Sequence, residues 1–96
     1  MDIGSTIKGL RKHKKLTQEE FATACGISQN YLSQIENNLK EPNLSTLAQI
    51  AEALGIPVSI LMFLSTGEDD IIPEKRESFN EINNLIKQLI HENLGI

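Results

Sequence analysis

Between Leu16 and Asn37 the chain is punctuated so closely that it has room for two short helices and a tight turn. Thr17 can cap a helix start, and Glu20, three residues on, can reach back to the Thr17 amide as in a capping box. Phe21, Ala22 and Cys25 then share one apolar face, and Gly26 supplies the positive φ at which a helix stops. These signals predict a helix over 18–25. Ser28 caps the next one, which is expected over 29–37 with Tyr31, Leu32 and Ile35 on its inner side. Asn37, Asn38, Lys40 and Pro42 form the turn that ends it.

The remaining segments are also helical in period. Ile3, Ile7 and Leu10 predict a first helix over 4–14, whose C-terminal end is basic at Lys12, Lys14 and Lys15. Leu44, Leu47, Ile50, Ala51 and Leu54 form the cleanest apolar stripe in the chain, with Asn43 as cap and Gly55 as stop. Pro57 suits the first turn of a fifth helix over 58–65. Thr66 to Ile72 reads as a linker, and Pro73 precedes a last helix over 74–93. A second capping box at Ser78 and Glu81 leaves the start of that helix open. Leu, Ile and Ala dominate an apolar set with few aromatics, which suits packed helices better than a sheet. The expected fold is all-α: a five-helix domain over 1–65, a linker over 66–73, and a C-terminal amphipathic helix within 74–96.

Several function classes are disfavoured. No Ser-His-Asp set, phosphate-cradling glycine loop or paired acid and base appears, so an enzyme is not expected. His13 and His91 lack neighbouring ligands, so no metal or cofactor is expected; Cys25 is expected to be core filling. The longest apolar run, Ile60 to Leu64, is too short to span a bilayer, and no apolar signal core is present, so a cytoplasmic protein without a membrane partner is expected.

The net charge of -4 is unevenly placed. Residues 1–65 carry six basic and six acidic side chains and are neutral, so the whole excess lies in 66–96. Lys8, Arg11, Lys12, Lys14 and Lys15 cluster, either as a solvated helix end or as an edge facing phosphates.

The outer arc of the third helix holds Gln29, Asn30, Ser33, Gln34 and Asn37, all polar and uncharged. A solvated helix this short usually carries Lys and Glu there. Amide side chains donate and accept together, which allows bidentate contact with an adenine edge. Periodicity alone leaves this face open between nucleobase reading and ordinary solvation.

The stretch from Leu16 to Asn37 closely resembles the lambda-repressor and Cro-like helix-turn-helix proteins, the XRE family. The motifs are Leu-Thr-Gln-Glu-Glu from Leu16, Gly-Ile-Ser from Gly26 and Tyr-Leu-Ser-Gln-Ile-Glu-Asn from Tyr31, and the likeness covers about residues 4 to 64. The resemblance implies a double-stranded DNA partner and a third helix that enters the major groove. It places Gln29, Asn30, Ser33 and Gln34 at base edges. It places Thr17, Gln18, Asn37 and Lys40 at the DNA backbone, with Gln18 also bracing Gln29. Tyr31 falls either against a phosphate or in the core. Arg11 and Glu36 match a partly buried ion pair that ties the first helix to the third.

Two features depart from the family pattern. No recognition position is charged, which suggests an A·T-leaning half-site, and the fifth helix is apolar on every side. The C-terminal helix, with Phe79, Ile82, Ile86 and Leu89, is expected to cover Ile60, Phe63 and Leu64 of its own chain, of a second copy, or of both. A homodimeric regulator, a repressor on a palindromic operator, is the expected function. The alternative is an antitoxin or anti-regulator module that grips a protein partner through its C-terminal segment.

Overall fold

A computed structural model describes residues 1–96 as six α-helices with no strand. They are α1 (Ile3–His13), α2 (Gln18–Cys25), α3 (Gln29–Glu36), α4 (Leu44–Leu54), α5 (Val58–Ser65) and α6 (Arg76–Leu94). Each of the first four starts on a side chain that satisfies an otherwise orphan amide. Asp2 accepts from the Ser5 amide at 3.1 Å, Thr17 from Glu20 at 3.1 Å, Ser28 from Tyr31 at 3.1 Å and Asn43 from Thr46 at 2.8 Å. Glu20 completes the capping box by accepting from the Thr17 amide at 2.9 Å. α5 starts differently: Pro57 occupies the cap position itself, with φ −63° and ψ 149°, and its side chain accepts no amide bond.

The same four helices end in a left-handed residue. Gly26 and Gly55 adopt φ of 73°, and Lys15 and Asn38 adopt 60° and 57°. In each case the following amide reaches five residues back, as Ile27 does to the Ala22 carbonyl and Leu39 to the Gln34 carbonyl.

One core holds α1 to α5 together. Ile7, Phe21, Leu32, Ile35, Ile50, Leu54 and Leu61 are its largest fully buried side chains. Each contributes about 1.5–3 kcal/mol through burial. α1 packs on α3, α4 and α5, and α2 packs on α3 and α4. Leu44 departs from the expected stripe and is 71% exposed, while Thr46 is buried. It lies in the first turn of α4, where a side chain leans back toward the helix N-terminus and past the edge of the core.

The segment between α5 and α6 is not an open tether. It forms two short 3-10 turns, Glu68–Asp70 and Pro73–Lys75. Arg76 Nε donates to the Glu68 and Ile71 carbonyls at 3.0 and 3.1 Å, and Asn80 donates to Glu68 at 2.9 Å. At its far end α6 lies beside α1, where His13 Nε2 is 3.1 Å from the Gly95 carbonyl. With α6 anchored at these points, the expected stripe divides between an inner and an outer side. Asn83 and Ile90 are the buried positions, Phe79 and Ile86 are half-buried, and Ile82 and Leu89 face outward together with Leu85. Asn83 Oδ1 is left without a partner in that seam. Ile60, Met62, Phe63 and Leu64 of α5 are covered only in part.

Candidate nucleic-acid interface

α3 has two sides. Leu32 and Ile35 are fully buried and hold the helix to the bundle. On the other side Gln29 and Asn30 are exposed, and Ser33 and Gln34 are half-buried along the same arc. The four polar side chains expected at base edges therefore form one outward surface. Tyr31 is half-buried, with its ring packed against the core.

Beneath this surface lies a charged link. Arg11 Nε donates to Glu36 Oε2 at 2.7 Å and Arg11 Nη2 to Oε1 at 3.1 Å. Arg11 Nη1 donates to the Leu16 carbonyl at 2.8 Å, so the guanidinium also fixes the chain entering α2. The side chains retain 8% and 1% of their exposure. The pair thus binds α1, the start of α2 and α3 into one unit and neutralises the only charge on α3.

Gln18 differs from its expected place. Its Nε2 donates to Glu36 Oε1 at 3.1 Å rather than reaching Gln29. A buried carboxylate with a spare lone pair is a stronger acceptor than a solvated neutral amide. Asn37 folds back along its own helix, its Nδ2 donating to the Ser33 carbonyl at 2.9 Å and lying 3.4 Å from Ser33 Oγ. Thr17 and Lys40 are exposed, at the start of α2 and on the turn after α3. With α3 uncharged on its outer side, the surface can approach phosphates without repulsion and present donors and acceptors together.

Sequence reasoning missed Asn38 as more than a turn residue. It takes a left-handed conformation and bonds to both Asp2 and the Gly4 amide. The Asn37-Asn38 pair after the last apolar residue of α3 was the available signal, since asparagine is the non-glycine residue that best tolerates that conformation.

Comparisons with known proteins converge on this region. A family model described as a helix-turn-helix, HTH_3, matches residues 7–61. The immunity repressor protein of Bacillus phage phi105 is 41% identical over 80 residues, covering 83% of this chain and 53% of the phage protein. The HTH-type transcriptional repressor RghR of Bacillus subtilis (strain 168) is 39% identical over 62 residues, covering 64% of this chain and 46% of RghR. The chain thus spans about half the length of these relatives. The crystal structure of the clp gene regulator ClgR from C. glutamicum superposes with a TM-score of 0.64 at 28% identity, covering 75% of this chain and 91% of that one. A structure of the SinR protein/SinI protein complex superposes with a TM-score of 0.59 at 29% identity, covering 95% of this chain and 81% of that one.

Proposed function

Because the chain belongs to the helix-turn-helix family HTH_3, with residues 7–61 as the matched unit, we propose that it is a sequence-specific DNA-binding regulator that represses transcription as a homodimer. The observation that carries this reading is the outward row of Gln29, Asn30, Ser33 and Gln34 on a helix whose opposite side is fully buried. Such a helix can enter the major groove while the bundle remains intact. Gln29 and Gln34 reach adenine edges, and Asn30 and Ser33 complete the contact. Thr17, Gln18, Tyr31, Asn37 and Lys40 meet the backbone. Gln18 and Asn37 leave their internal bonds to do so. The relatives named as repressors support repression.

One such helix makes few base contacts, and a neutral domain gains little from counterion release. Two copies related by a twofold axis double the contacts and read half-sites about one helical turn apart. The outward face of α6 suits that pairing. Ile82, Leu85 and Leu89 are 58%, 60% and 50% exposed on one side of a 19-residue helix. Phe63 and Leu64 of α5 and Phe79 and Ile86 of α6 are half-buried and leave further apolar surface for that pairing.

The test is selection of bound sites from random duplexes, followed by the same selection with Gln29→Ala. An inverted repeat should emerge, and the variant should lose about 1–3 kcal/mol of discrimination at one position per half-site. An unaltered preference in the variant removes Gln29 as a reader.

A second reading has one observation behind it, the structural neighbour solved as a complex of two different proteins. On that reading α6 grips a foreign protein, as in an antitoxin or anti-regulator. Sedimentation of the purified chain separates the two. A dimer that dissociates on Ile82→Glu with Leu89→Glu supports self-pairing, and a monomer at all concentrations supports the second.

A further inference from the structure

Between α3 and the buried Pro42, five consecutive exposed residues, Asn37 to Glu41, carry Lys40 past the end of α3. Packing does little to hold them, since Leu39 is 75% exposed. The backbone curls back on α3, with the Leu39 and Lys40 amides both donating to the Gln34 carbonyl at 2.8 and 3.2 Å. Asn38 makes the reversal at φ 57°. Glycine would do so without steric cost. Asparagine adds an amide, and both ends of that amide are engaged. Its Nδ2 donates to Asp2 Oδ1 at 2.8 Å, and its Oδ1 accepts from the Gly4 amide at 3.2 Å. The same Asp2 oxygen caps α1 through the Ser5 amide. The approach is close: a methyl group on Gly4 would lie 2.5 Å from Asn38 Oδ1 and would also strike the Ile35 carbonyl.

We propose that Asn38 is a positioning residue for DNA binding, whose amide, held between Asp2 and the Gly4 amide, sets where Lys40 and the end of α3 meet the sugar–phosphate backbone. The inference rests on the DNA-binding reading above. Lys40 is a flexible point charge on a long stem, so the protein controls its reach through the position of its Cα. That position follows the turn, whose hydrogen bonds to α1 and its cap run through the Asn38 side chain. Contact groups held within about 0.5 Å need such a supporting residue. Only an amide can serve here, because aspartate cannot donate to Asp2 and glycine keeps the bend but loses both bonds.

The experiment uses the full chain and a labelled duplex recovered by selection from a random pool, titrated across a salt series at a temperature where every variant is folded. Asn38→Gly retains the backbone conformation. Asp2→Ser retains a capping hydroxyl. Each should weaken binding about tenfold, the worth of about one hydrogen bond to a charged group. Each should also make the slope of log affinity against log salt shallower by about one, with reselected base preferences unchanged. A purely structural role lowers the melting temperature and leaves that slope alone. Both variants binding within about twofold of the unmodified chain at an unchanged slope overturns the proposal. An unmodified chain that binds no duplex even at low salt overturns the DNA reading itself, and the proposal with it.

Discussion

Replacing Arg11 by Met keeps most of the side-chain stem and removes the guanidinium. Glu36 would then be a carboxylate at 1% side-chain exposure, left with the Gln18 amide at 3.1 Å as its polar partner. Stranding one member of a buried pair costs about 3–5 kcal/mol. A chain of 96 residues has a total stability of about 5–15 kcal/mol. Arg11→Met should therefore remove about a fifth of it or more, read as a lowered urea midpoint by circular dichroism. The double variant Arg11→Met with Glu36→Leu tests the cause. With no charge left to strand, it should recover to within about 1–2 kcal/mol of the unmodified chain. A single variant that loses less than about 1 kcal/mol would show the pair to be solvated. A double variant as unstable as the single one would show that packing or the Leu16 carbonyl bond carries the cost. DNA binding by the folded fraction of Arg11→Met should keep its salt slope, because Arg11 faces Glu36 rather than a phosphate.

Lys15 is exposed at φ 60°, a conformation that costs a non-glycine residue about 1–2 kcal/mol. Lys15→Gly should therefore stabilise the fold by a net of about 0.5–1 kcal/mol after the entropy cost of glycine, read as a raised urea midpoint, and a lowered midpoint would refute the strain argument. The bond from the Thr17 amide holds the Glu20 carboxyl below its ordinary pKa. Its contribution is complete above the unfolded value of about 4.3 and is lost as pH falls through the folded value. Glu20→Gln keeps a capping box without a titrating group, so its stability should fall less steeply on acidification than that of the unmodified chain; parallel acid limbs would count against this. Burial, with a smaller contribution from the Glu36 charge, pushes the Cys25 thiol up to about 11. Its labelling by a thiol reagent at neutral pH should rise only with unfolding in urea, and fast labelling of the native chain would contradict its burial.

The local part of this protein was legible from residue order because its signals act over three to five positions. Thr17 with Glu20, Ser28, Asn43, Gly26 and Gly55 place helix boundaries through bonds that close within one turn, and α2 and α4 fall where those residues put them. The outward row on α3 was equally visible, since its inner side is marked by Leu32 and Ile35. What tertiary structure alone decided concerns groups distant in the chain. Gln18 turns to Glu36 because folding brings a buried charge within 3.1 Å of it. Asn38 meets Asp2 across 36 positions because Gly4 lets α1 approach the end of α3. α6 buries Asn83 and exposes Ile82 and Leu89 because Arg76, Asn80 and the contact between His13 and Gly95 fix its rotation, and apolar periodicity cannot tell one side of a two-sided stripe from the other.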